Sequence, residues 1–139
     1  MIKNLILVLT MTLVALTSCD KVYINGELDG MWQLQKVERP DTMVYPQGIY
    51  YSFQRHLVQL SLHNEEGIPL RYLGNLNYQG DSLTTSGFRK FLEEHIVASE
   101  KELSTFCIYD TTTTFHIDKL NDEVLIMHSN RAKYTLKKW

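Results

Sequence analysis

Cysteine is scarce in this chain: two occur in 139 residues, Cys19 and Cys107, too few for a disulfide-stapled scaffold. A charge excess is missing too. Lys and Arg number 14 against 16 Asp and Glu, a net of −2 with His neutral. Nucleic acid is therefore not an expected partner, because phosphate binding requires a clustered basic face. Also absent are a Gly-x-Ser-x-Gly elbow, a His-Glu-x-x-His pair and a glycine loop that could cradle phosphate. These absences predict a protein that is not an enzyme and uses no cofactor. Long apolar runs are missing as well, with one exception at the N-terminus.

That exception is residues 5–16, an uncharged stretch preceded by Lys3 and closed by Leu16-Thr17-Ser18-Cys19. It is too short to span a bilayer, and its basic start and small-residue end read as a signal peptide over residues 1–18. The cysteine after Leu-Thr-Ser resembles the lipobox of bacterial lipoproteins. In that family the signal peptidase cuts before the cysteine, which then carries acyl chains. The resemblance implies lipidation of Cys19, palmitate-type acylation and a membrane partner. One acyl chain binds membranes only marginally, whereas two or more hold firmly. The expected location is the bacterial cell envelope, lipid-anchored at the outer membrane. Asp20 would retain an enterobacterial lipoprotein at the inner membrane, a rule that need not apply elsewhere. Removing residues 1–18 leaves about 121 residues, enough for one domain with a modest core. Residues 19–29 are then the lipidated cysteine and a short tether, and 30–139 the domain. Cys107, followed by Ile108, reads as a small buried hydrophobe.

Beyond Gly30 short alternating runs are separated by turn signals, which predicts an antiparallel meander. Trp32 and Leu34 share a face in 31–37, as do Ile49, Tyr51 and Phe53 in 49–53. Val58, Leu60 and Leu62 line one side of 56–63, and Tyr72, Leu76 and Tyr78 one side of 70–78. Residues 64–67 read as a hairpin connection. Phe88, Phe91, Leu92, His95 and Ile96 recur at spacings of three and four, and Ser99 with Glu102 forms a capping-box signature. The expectation is a helical insert over 87–106, one short helix followed by a helical turn. Asn121-Asp122 is expected to be a two-residue hairpin tip with Ile117 facing Ile126 and Phe115 facing His128. Phe115, Ile117, Val124 and Ile126 would then face inward, joined by Tyr134 and Leu136. Seven or eight strands with one apolar face bury it best by curling into a barrel, which also removes exposed edges.

Gly30-Met31-Trp32, preceded by Leu28, resembles the G-x-W opening of the calycin group, in which the Trp plugs one barrel end. Together with the lipobox, the tether and the segments 53–60 and 72–81, it resembles an uncharacterised family of lipocalin-like lipoproteins of Bacteroidetes. The resemblance implies a mainly-β, seven- or eight-stranded lipocalin-like barrel over 28–139. It does not extend to a fatty-acid clamp, because Ala132 stands where the Arg of an Arg-x-Tyr motif would be. A fold of this kind does not by itself name a ligand.

Five histidines invite a metal reading, but none of their spacings suits a shared ion on one strand or helix, so no metal is expected. His56 and His128 are expected inside the barrel with Tyr72 and Tyr78, above a floor made by Trp32. Polar handles in an apolar pocket would orient a small apolar ligand. The alternative is a barrel with a solid core, filled by its large inward residues. Such a protein would act as an interaction or assembly module at the membrane surface, through exposed aromatics.

Overall fold

A computed structural model describes residues 24–65 and 67–139. The expected signal peptide, Cys19, the first part of the tether and Glu66 of the 64–67 connection lie outside the described residues.

A 3-10 turn, Gly26–Leu28, leads into ten strands: β1 (Gly30–Arg39), β2 (Thr42–Val44), β3 (Ile49–Gln54), β4 (Leu57–Leu62), β5 (Leu70–Gln79), β6 (Ser82–Lys90), β7 (Glu93–Val97), β8 (Thr113–Leu120), β9 (Val124–His128) and β10 (Lys133–Lys138). Among the described residues one α-helix, α1 (Glu100–Ser104), sits between β7 and β8. Eight strands close into an antiparallel barrel in the order β1-β3-β4-β5-β6-β8-β9-β10, and β10 returns to pair with β1. β2 and β7 extend the free edges of β1 and β6 beyond the barrel. Eight strands enclose a space that side chains just fill. Here Trp32, Phe53, Phe88, Phe115, Leu60 and Leu83 are among those that fill it, each fully buried.

Bulges reset the alternation where simple period two would fail. In β1 an extra residue lies between Leu34, which pairs with Leu136, and Lys36, which pairs with Thr135. It keeps Lys36 out of the core and turns Val37 in. In β6 the extra residue falls near Gly87, whose φ of +63° favours glycine. Phe88 then points inward across from Gly74, where a Cβ would lie 2.6 Å from the ring. Gly74→Ala should therefore cost about 1–3 kcal/mol by overpacking. A shift in the urea midpoint with an unchanged m-value would register it.

Two expectations change at this point. Residues 88–96 do not form a helix; they complete β6 and turn back as β7, with Lys90 opposite Glu93. Left-handed residues at Gly87 (φ +63°) and Leu92 (φ +69°) interrupt any helical run, and only Phe88 of the apolar stripe is buried. The helical part of the insert is α1, where Ser99 and Glu102 form the reciprocal capping box. The β8–β9 turn is also longer than two residues. Leu120 pairs with Leu125, and the Asn121 carboxamide accepts the backbone N–H groups of Glu123 and Val124, each at 2.8 Å. A bulge at Asp118 then sets Ile117 against Met127 and His116 against His128. Leu125 and Met127, rather than Val124 and Ile126, face the core beside Phe115 and Ile117.

Candidate functional site

Both ends of the barrel are closed by specific contacts. At the end where the chain enters, Trp32 is fully buried and its indole N–H donates to the Leu28 carbonyl at 2.8 Å. The Lys138 ammonium sits 4.5 Å above the indole ring and donates to the backbone carbonyls of Asp29 and Glu27. Burial pulls the Lys138 ammonium below its ordinary value, against the charges of Asp29 and Glu27. Asn25 completes the latch, donating to the Asp29 carboxylate at 2.7 Å and to the Arg55 carbonyl at 2.8 Å. Among the described residues, packing thus starts at Leu28, ahead of the first strand.

The opposite end is stopped by α1 and the residues after it. Leu103, Phe106 and Ile108 are buried in the same core as the strands. Three tyrosines from three strands hold this plug. Tyr51 of β3 donates to the Phe106 carbonyl at 2.5 Å, and Tyr134 of β10 to the Cys107 carbonyl at 2.6 Å. Tyr72 of β5 donates to the Glu102 carboxylate, and its ring meets Phe106 edge-on at 5.5 Å. Burial, with the bond to Glu102 and its charge, pushes the Tyr72 phenol up to about 12. Glu102 is held below its ordinary range by Tyr72 first and then by Ser99. Burial also raises Tyr51 and Tyr134. The Cys107 thiol is raised in the same way, which keeps it protonated and unreactive at neutral pH.

The expected site residues do not come together. Trp32 forms the floor and Tyr72 lies inside, but its hydroxyl is committed to the plug. Tyr78 is half-buried at the Trp32 end, its phenol raised by burial and by Asp81 and Glu27. His56 is exposed, because Arg55 (φ +54°) and His56 form the β3–β4 turn instead of opening β4. His128 is exposed as well, turned outward by the β8–β9 register, and its ring lies 2.8 Å from Asp118. Tyr51 and Tyr134 read as ordinary core residues in the sequence. Only the Ser99–Glu102 capping box signalled the helical segment that is held against them.

On the outer wall, β4, β5 and the β6–β7 hairpin flank an open groove of about 230 Å³ lined by Leu57, Leu73, Arg89 and Phe91. Phe91, Leu92, Ile96 and Val97 project from the same hairpin, with Leu92 84% exposed. A second depression, about 740 Å³ and open to solvent, is polar and lies around Asp110, Thr111–Thr114 and Arg131.

A closed eight-stranded antiparallel barrel with a Trp-plugged end defines the class: a lipocalin-like β-barrel. The lipocalin-like domain family matches residues 14–139, and the chain belongs to that family. Among solved structures it is similar to a lipocalin-like protein from Bacteroides uniformis, with 21% identity, a TM-score of 0.65, and coverage of 82% of this chain and 100% of that one. It is also similar to an uncharacterized protein from Bacteroides eggerthii, with 21% identity, a TM-score of 0.66 and coverage of 81% and 99%. No curated protein matches it.

Proposed function

We propose that the protein is a lipoprotein of the bacterial outer membrane, anchored through Cys19, whose barrel acts through its outer surface as a protein-interaction module. One observation carries the second half of this reading. The barrel interior is filled by fully buried aromatic and aliphatic side chains and is capped at both ends. Small-molecule pockets are mostly apolar, enclosed clefts of about 300–1,000 Å³; the apolar groove on the outer wall falls below that range, and the 740 Å³ depression around Asp110 and Arg131 is polar and open to solvent. The apolar hairpin beside it, with Phe91 and Leu92 at its tip, is the surface best suited to a partner.

A second reading has one observation in its favour. The hydroxyls of Tyr51, Tyr72 and Tyr134 converge on a single plug. Displacing that plug would free three polar handles at the barrel mouth, above Trp32, for a small apolar ligand. Native mass spectrometry of the purified protein separates the two readings. The interaction module gives the mass of the lipidated polypeptide alone, whereas a stoichiometric co-purified metabolite would overturn it. The anchor is tested independently: Cys19→Ala should release the protein from membranes and abolish acyl labelling. Labelling that persists in this variant rules the anchor out.

A further inference from the structure

The outer face of the β8–β9 hairpin carries two imidazoles that the sequence spacing had separated. His116 and His128 are direct cross-strand partners, with ring centroids 5.4 Å apart and ring planes 54° apart. Both are exposed, so an ion could reach them from solvent. The bulge at Asp118 brings a third group in: its carboxylate lies 2.8 Å from His128 Nδ1. We propose that His116 and His128 form a two-imidazole chelate for a divalent transition-metal ion, with Asp118 as the positioning residue.

The geometry suits this chemistry. Nitrogen ligands bind such ions at about 2.0–2.1 Å, so two of them on one ion lie no more than about 4 Å apart. Two rings whose centres lie 5.4 Å apart can each present one nitrogen to a shared ion at that bond length. Asp118 plays the part that a carboxylate plays behind many metal-bound histidines. It accepts a hydrogen bond from the Nδ1 proton of His128, which leaves the Nε2 lone pair free for the ion. Among the described residues no group of three or more His, Cys, Asp or Glu could hold a metal ion. The chelate therefore has two protein ligands, and water completes the shell. Imidazole donors favour copper, nickel and zinc over calcium and magnesium, which prefer oxygen. Among these ions the affinity order places Cu²⁺ first. The neighbours across the flanking strands are Ser82 of β6, opposite His116, and Lys133 of β10, opposite His128. Lys133 is exposed and long enough to swing its ammonium away from a bound cation.

The test is titration of the purified protein with CuCl2, NiCl2 and ZnCl2, followed by calorimetry and by paramagnetic broadening of histidine NMR signals with Cu²⁺. The expected result is one bound equivalent, tightest for Cu²⁺, with broadening at His116 and His128 before His56, His63 or His95. His116→Ala and His128→Ala should each weaken binding at least ten-fold, and Asp118→Asn by about ten-fold. His95→Ala should leave it unchanged. Bound metal should also raise the melting temperature of the wild type and fail to do so in the two histidine variants. Binding that survives both histidine substitutions, broadening centred elsewhere, or no saturable binding overturns the proposal.

Discussion

Trp32→Ala will destabilise the protein by about 3–5 kcal/mol, a large share of the roughly 5–15 kcal/mol available to a domain of this size. Three losses combine in that figure. The substitution empties the largest fully buried side-chain volume at the end where the chain enters. It leaves the buried Leu28 carbonyl without the indole donor it accepts from at 2.8 Å. It also removes the ring under the Lys138 ammonium, and with it a reason for Lys138 to stay bound to the carbonyls of Asp29 and Glu27. The turn at Gly26–Leu28 then loses its indole tie to the barrel floor and depends on Lys138 and Asn25 alone. Trp32→Phe separates the contributions. It retains most of the apolar contact but orphans the Leu28 carbonyl, for about 1–3 kcal/mol. Trp139 is the control: it is mostly exposed, with its ring against Tyr50 at 5.1 Å, and Trp139→Ala should cost less than about 1 kcal/mol. Urea denaturation followed by circular dichroism measures all three. A loss below about 1 kcal/mol for Trp32→Ala would show that the floor is not where the barrel is locked.

The Trp32 floor was legible in the sequence because it depends on local facts. Trp32 and Leu34 alternate with polar residues, and the strand opens on Gly30 (φ +123°), whose missing Cβ makes room for the Lys138 side chain. The inward faces of β3, β4, β5 and β10 were legible for the same reason: Tyr51, Phe53, Leu60, Tyr72 and Tyr134 each fall on the expected face of their strand and are buried. The errors fall where one residue is inserted into a ladder. A bulge is a relation between two strands, so neither strand alone reports it, and a single extra residue reverses every face beyond it. Asp118 does this between β8 and β9. It moved His128 from the expected interior to the surface and set it opposite His116. The false helical stripe at 88–96 has a similar origin. One buried residue, Phe88, two at a hairpin tip, Phe91 and Leu92, and two on an exposed strand, His95 and Ile96, happen to fall three and four apart. Periodicity without burial is not an amphipathic face. The plug was half legible. The Ser99–Glu102 capping box announced α1, but the carbonyls of Phe106 and Cys107 meet tyrosines that are far away in the chain. No local pattern encodes such a contact.

Above about pH 10 the protein will lose stability at about 1.4 kcal/mol per pH unit for each of Tyr51 and Tyr134, the second large effect expected. Burial raises both phenols above the value they take in the unfolded chain. Their contribution is therefore complete below the unfolded value of about 10 and is lost as pH rises. In that range the unfolded chain has released protons that the folded barrel still holds, so the slope of stability with pH is negative. The two losses add for as long as the folded barrel holds both protons. Tyr72, pushed up to about 12 by burial and by Glu102, acts in the same direction. The structural consequence is specific. Tyr51 and Tyr134 are the donors to the carbonyls of Phe106 and Cys107, and a phenolate cannot donate. Ionisation therefore unlocks the plug before it disrupts the strands, and protection of amide hydrogens from exchange should fall first around Leu103 and Phe106. Tyr51→Phe and Tyr134→Phe should each cost about 1–3 kcal/mol at neutral pH, because each orphans a carbonyl. Each should also flatten the alkaline slope by about 1.4 kcal/mol per pH unit. Urea midpoints of the wild type and the double variant, measured from pH 8 to 12, decide the matter. Equal alkaline slopes in the two proteins would mean that these tyrosines do not bolt the plug in place.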